Sequence, residues 1–201
     1  MKAPLIVSVT CLFLLTAGQN SASQRTCKIS NPEQHLHQLD IFWRELRFSA
    51  ALGRKYQRQY LGPGGEMYGL KLTDSLQKEA QEMLKRPSTS KPFIKFQGML
   101  ESEYPTYTSV HALAALVRSN GTVLKQMIYP EATRYGCWVK GVRKESKCYV
   151  EGVCLFDKKA PDDFDIEKIR DKPKCRIGHD EDCDYVKPAT CQYPLCYIKE
   201  N

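Results

Sequence analysis

The chain has 201 residues, 42% of them hydrophobic, and carries 30 Lys+Arg against 23 Asp+Glu for a formal net charge of +7. That length suits one domain with a small appendage, and the apolar content excludes a disordered chain. A single apolar run, at the N-terminus, excludes a multi-span membrane protein, while nine cysteines exceed what an ordinary cytosolic protein carries.

The N-terminal run has the anatomy of a secretory signal. Met1-Lys2 begins it with positive charge, Leu5 to Ala17 is apolar but too short to span a bilayer, and small polar residues follow to Ser23. Residues 1–22 are therefore expected to be cleaved, with the cut between Gly18 and Ser23. No second apolar segment follows, so a soluble, extracellular mature protein with no transmembrane anchor is expected. Cleavage removes Cys11 and leaves Cys27, Cys137, Cys148, Cys154, Cys175, Cys183, Cys191 and Cys196. An even number on an oxidising route predicts four disulfides, with connectivity left open by the spacing. Zinc is the rival use of these thiols, and the lack of any CxxC pair argues against it.

The periodicity of Leu39, Phe42, Leu46 and Ala50 predicts a helix over 33–56, with Gly53 near its end. Residues 57–72 read as an exposed connection turning at Gly62-Pro63-Gly64-Gly65. A second helix is expected over 74–85, with Leu76, Ala80, Met83 and Leu84 inward and Asp74 and Gln77 as a capping pair. Pro87 and Pro92 bracket a loop, and a third helix is expected over 108–118. Three strands are expected next, over 122–129, 134–142 and 147–156, the last two joined by the polar hairpin 143–146. Helices followed by a run of strands give an α+β order with an antiparallel sheet. Residues 157–201 hold four prolines, four cysteines and the acidic run Asp180, Glu181, Asp182, Asp184, material that needs disulfides to hold it. The domains expected are thus 24–160 and a cysteine-rich extension, 161–201. Asn120-Gly121-Thr122 is an N-glycosylation acceptor that the secretory route makes usable.

Within this order, Gln126 to Cys137 (Gln-Met-Ile-Tyr-Pro-Glu-Ala-Thr-Arg-Tyr-Gly-Cys) resembles the second signature of the CAP superfamily, which comprises cysteine-rich secretory proteins, antigen 5 and plant pathogenesis-related-1 proteins. Arg47, Ala51 and Gly53 keep the spacing of that family's first-helix pattern. Met67, Leu70, Leu76, Ala80 and Gln81, then Val153-Cys154 and Leu195-Cys196, continue the match over roughly residues 36–196. In length and tail the chain looks most like single-domain nematode activation-associated secreted, or venom-allergen-like, proteins. The resemblance implies an α-β-α sandwich. Many family members also place two histidines and two glutamates in a central cleft, often around zinc. Here the histidine positions hold Trp43 and Val123, and Glu101 and Glu103 are only loose counterparts of the acids. The resemblance therefore implies a degenerate cleft, with no metal, no cofactor and no catalytic residues.

The residues read alone agree. His35, His37, His111 and His179 form no catalytic or metal spacing, and no nucleophile elbow, zincin or phosphate-loop motif occurs. Charge is uneven: residues 19–100 hold 13 Lys+Arg and 7 Asp+Glu, while 101–201 hold 16 of each. Arg44, Arg54, Lys55 and Arg58 gather on or just after the first helix, which reads either as a solvated helix face or as a basic patch for an acidic glycan or protein, with Arg47 structural by its place in the family pattern. Nucleic acid is not an expected partner of a secreted protein. The acidic run 180–184 lacks the ligand spacing of a calcium loop. The function expected is a secreted non-enzymatic binder of a host or extracellular protein. By resemblance to nematode relatives the target is a molecule of immunity or haemostasis, such as an integrin on leukocytes or platelets. Carriage of a small lipid or sterol, which some family members perform, is the alternative.

Overall fold

The computed structural model describes residues 27–29, 31–100 and 103–199. The expected signal segment, 1–22, lies outside them. Helix α1 runs over Pro32–Ala51, begun by Asn31, whose side chain accepts from the Gln34 amide, and by a proline at its first position. Its end comes five residues before the expected Tyr56. Gly53 takes φ +66°, its amide bonds Ala50 and the Arg54 amide reaches back to Ser49, a Schellman termination. A side chain there would also strike the Pro63 carbonyl, 2.4 Å from an ideal Cβ.

Strand β1 is Lys71–Leu72 and helix α2 is Asp74–Lys85, as expected in extent, although Thr73 rather than Asp74 is its N-cap. Strand β2, Phe93–Met99, falls where the sequence reading had none. Its signal was the alternation of inward Ile94 and Phe96 with outward Phe93, Lys95, Gln97 and Met99. Helix α3 is Thr108–Ser119. The expected strand over 122–129 is instead a helix, α4, Gly121–Met127. The β-branched Thr122 and Val123 favour a strand locally, but the Asn120 side chain accepts from the Val123 amide and caps a helical turn that buries Leu124 and Met127. Strands β3, Arg134–Lys144, and β4, Lys147–Phe156, form the expected hairpin, turning at Glu145 with φ +55°.

The sheet order is β1-β3-β4-β2, with β1 parallel to β3 and the other pairs antiparallel. Side-chain alternation along β4 gives each face its own core. Val153 and Leu155 pack on Leu76, Ala80 and Met83 of α2. Val150 and Cys154 join Leu39, Phe42 and Leu46 of α1 with Leu113 and Val117 of α3 on the other face. The result is an α-β-α sandwich.

Four disulfides join Cys27 to Cys148, Cys137 to Cys154, Cys175 to Cys191 and Cys183 to Cys196. The second links directly opposed residues of β3 and β4. The last two staple the C-terminal extension, whose strands β5, Ala189–Gln192, and β6, Leu195–Ile198, make a hairpin. That hairpin is seated on the connection before β1. The Cys196 amide bonds Met67 O (2.9 Å) and the Gly69 amide bonds Cys196 O (2.8 Å). Gly69 has no side chain because Tyr197 lies over it, 2.2 Å from where a Cβ would be. The 57–72 connection is accordingly not the exposed loop expected. Leu61, Met67 and Tyr68 are fully buried, and Tyr68 Oη donates to Val186 O and accepts from the Val186 amide. Buried Glu66 accepts the Asp184 and Tyr185 amides at 2.6 and 2.8 Å, and burial pushes its carboxyl upward.

The centre of this arrangement is Arg47. Fully buried, its guanidinium donates to four carbonyls: Met127 (3.0 Å), Tyr68 (2.6 Å), Ala132 (2.8 Å) and Tyr129 (2.9 Å). Burial pushes its pKa down to about 9 against the pull of Asp157, so it stays cationic at neutral pH. Lysine cannot fan its donors across the same four acceptors. Arg47→Lys is expected to cost about 3 kcal/mol, read as a lower denaturation midpoint. A loss below about 1 kcal/mol would contradict this role.

The acidic run is an internal fastening. Asp180 accepts from Lys199, the Cys191 amide and Thr190; Asp182 accepts from the Arg176 side chain and amide; Asp184 pairs with Lys172 and Lys187. Lys199 foremost holds Asp180 at about 2, and Arg176 holds Asp182 at about 2. Carboxyls depressed in the fold stabilise it above their unfolded value and lose that contribution as pH falls. Thermal midpoints should therefore drop between about pH 4 and pH 2, and Asp180→Asn with Asp182→Asn should flatten that slope. An unchanged slope would show that the carboxyls bear no such load.

Candidate functional site

The family resemblance puts chemistry at the cleft positions. Trp43 is 1% exposed, its ring edge-on to Phe156 and tilted against Tyr135. Its Nε1–H finds no acceptor among the described residues. Val123 is half-buried on α4 and lines a separate hollow of about 420 Å³ with Pro92, Phe93 and Gln126. An indole packed into the core and an isopropyl group offer no lone pair to a cation, so the residues present do not fit a metal at the family's position. Glu101 lies outside the described residues, and Glu103 is exposed. Cys175, Cys183 and Cys196 do bring three sulfurs within 4.8 Å of one another, but all three are in disulfides and hold no thiolate.

The four histidines are dispersed. His35 is buried, its Nδ1 3.0 Å from buried Ser109 Oγ, and burial lowers its pKa, so it ties α1 to α3 as a neutral ring. His37 and His111 are exposed, and His179 pairs with Glu181 on the tail. Beside Trp43 the sequence reading missed a polar pair. Tyr135 Oη donates to Asp40 Oδ1 at 2.7 Å, and burial followed by the Asp40 charge pushes the phenol far upward. Asp40 lies one helical turn before Trp43, but no sequence spacing links it to Tyr135.

The basic residues are brought together in part. Arg44 and Arg54 line one shallow depression of about 610 Å³ with Ile41, Glu45, Phe48 and Tyr56. Lys55 and Arg58 are exposed beyond it. Among the described residues none of these four cations makes an ion pair. Arg58 sits on a two-residue turn closed by Tyr56 and Gln59, whose amides and carbonyls bond each other at 3.0 and 2.8 Å. Gln57 and Arg58 take φ +47° and +70°, the left-handed region that glycine or asparagine would ordinarily supply. The Gln57 side chain is held by Arg118 of α3 at 2.7 Å. Arg47, by contrast, is absent from this surface. Asn120 is exposed, and its Oδ1 serves the α4 cap, which leaves Nδ2 as the atom a glycan would use.

No helix among the described residues is long and apolar enough to cross a membrane. No protein-family model matches the sequence, and no curated protein matches it. Solved structures do. The Ancylostoma-secreted protein Ac-ASP-7 is 27% identical with a TM-score of 0.68, covering 86% of this chain and 92% of its own. Its manganese-bound form is likewise 27% identical, with a TM-score of 0.69 over 84% and 91%. A hookworm platelet inhibitor is 18% identical with a TM-score of 0.55 over 90% and 98%, a likeness of fold alone. The chain thus has the CAP-type α+β fold and is similar, in its architecture and in the order of its motifs, to the venom-allergen-like proteins of nematodes.

Proposed function

We propose that the chain is a secreted, non-enzymatic binding protein that engages an acidic surface on an extracellular protein through the basic face at the end of α1. The observation that carries this reading is the grouping of Arg44 and Arg54 around a partly apolar depression, with Phe48 38% exposed inside it and Lys55 and Arg58 beside it. Cations that make no ion pair among the described residues, next to an exposed aromatic, form a surface that steers and then anchors an acidic partner. The tight turn at Gln57-Arg58 fixes where the basic tip points, which reduces the ordering cost of binding. Trp43 and Val123, which remove donor atoms from the cleft, support a role without catalysis.

Extracellular residence is supported by the disulfides and by likeness to secreted proteins. A platelet inhibitor shares the fold, and on that footing cell-surface receptors of platelets or leukocytes, integrins among them, are the targets we place first.

The test is binding of the disulfide-intact protein to platelets and leukocytes, with integrin-blocked cells alongside. Saturable binding is expected, weakening with salt and falling about tenfold for Arg54→Glu with Lys55→Glu. The variant's thermal midpoint should stay within about 3 °C of the parent, because both side chains are exposed. Equal binding by parent and variant would remove the basic face from the mechanism. Absence of cell binding would overturn the receptor reading and leave lipid extraction as the next measurement.

A further inference from the structure

A second surface, remote in sequence from the basic face, lies along β2. This strand is the edge of the sheet and pairs only with β4. Just beyond its ends the Phe156 amide bonds Pro92 O and the Leu100 amide bonds Cys148 O. In an antiparallel ladder the bonded residues alternate. Ile94, Phe96 and Gly98 therefore direct their amides and carbonyls at β4, while Phe93, Lys95, Gln97 and Met99 direct theirs outward. No backbone partner for those four occurs among the described residues.

Among the described residues no element covers this edge. Helix α2 packs over β3 and β4, so Phe93 and Met99 are left 45% and 53% exposed. Along the edge runs a groove of about 570 Å³. Its walls are Met83, Leu84 and Pro87 at the end of α2, and Ala115 and Leu116 of α3.

The geometry points to this groove as a site for an extended peptide segment of another protein, added as a further strand, with apolar and acidic side chains alternating. The period follows from the pleat. A residue paired with Lys95 puts its side chain on the same face as Lys95, and its two neighbours fall on the opposite face beside Phe96 and α3. That second face is apolar. The first holds Lys95, Lys140 and Lys144 against Glu151 alone, and Lys140 and Lys144 already share that glutamate at 3.8 and 3.0 Å. Lys95 makes no ion pair among the described residues, its ammonium lying over the Phe93 ring. An acidic side chain opposite Lys95 is the complement. A second copy of this chain fits worse: self-pairing centred on Phe96 sets Lys95 diagonal to its own mate, lysine against lysine.

Backbone hydrogen exchange tests this directly on the intact, disulfide-bonded protein. Alone, amides of Phe93, Lys95, Gln97 and Met99 should exchange fast, and those of Ile94, Phe96 and Gly98 slowly. Adding the peptide Ac-Val-Asp-Val-Glu-Val-NH2 should slow the first set. The counterpart with lysine for both acids should bind about tenfold more weakly, and Lys95→Glu should reverse that preference. Gln97→Pro removes an outward amide without touching the β4 ladder and should abolish binding, whereas Gln97→Ala should not. The basic-face variant Arg54→Glu with Lys55→Glu should bind the peptide like the parent, so failure of one site does not imply failure of the other. Uniform exchange along β2, equal binding of both peptides, or protection that appears only with rising protein concentration would each overturn the proposal, the last in favour of self-association.

Discussion

One guanidinium joins α1 to two irregular stretches of backbone that strand pairing reaches only at their ends. Arg47 leaves α1 and gathers carbonyls from the connection before β1 and from the segment between α4 and β3, residues 68 and 127–132. Neither stretch is a strand where it meets the arginine. Tyr129 O also accepts the Ala132 amide at 3.2 Å, but the other three carbonyls would be left without a donor among the described residues, at roughly 1–3 kcal/mol for each orphaned group. A hydrophobic side chain would fill the volume and leave that cost in place. A carboxylate partner would neutralise the charge but satisfy no carbonyl. The irregular backbone that brings the extension onto the sandwich is thus compatible with burial only because an arginine reaches it.

The same logic explains why the extension is seated rather than hung. Its disulfides constrain its own short loops, but contact with the sandwich is made by groups that precede β1: Glu66 receives two tail amides, Tyr68 bonds both polar atoms of Val186's backbone, and Met67 and Gly69 bracket Cys196. Those residues are in turn positioned by Arg47 through Tyr68 O. Outside that contact the tail neutralises itself, each aspartate of the acidic run being spent on a nearby lysine, arginine or backbone amide. Asp180, Asp182 and Asp184 each have both carboxylate oxygens engaged in these bonds.

Much of this was legible in the sequence where pattern and fold agree. The α2 stripe, the β4 alternation and the α1 periodicity each report a face that is buried, and burial dictates spacing. The errors fall where local and tertiary preferences diverge. Thr122 and Val123 favour extended backbone, yet one capping asparagine and the need to bury Leu124 and Met127 together make a helix. β2 sets Ile94 and Phe96 on one face against Phe93, Lys95, Gln97 and Met99 on the other, and because the outward face mixes apolar with polar residues no strand was expected there. Gly69 and Gly53 could be seen to be glycines but not why: each is required by a neighbour distant in sequence, Tyr197 and Pro63. At the site, the replacement of cleft histidines by Trp43 and Val123 was readable residue by residue. The Asp40–Tyr135 bond was not, since it joins residues 95 apart.

Where the molecule leaves polar groups unpaired carries information, because among the described residues only Trp43 Nε1, Glu66 Oε2 and Thr73 Oγ1 are buried side-chain atoms without a partner. Trp43 Nε1 is unpaired in the core, at a position where the family resemblance implies a ligand, and marks chemistry given up for packing. The outward amides and carbonyls of β2 are unpaired at the surface, where water satisfies them at no cost until a partner replaces it. The cations at the end of α1 are unpaired in the same sense. A protein whose tail aspartates are engaged in internal bonds, while Arg44, Arg54, Lys55 and Arg58 make no ion pair among the described residues, has charge to spare at one face and backbone valence to spare at one edge. Both are properties of a binding scaffold: recognition is carried by exposed groups, and the rigid, stapled sandwich beneath keeps them from collapsing onto each other.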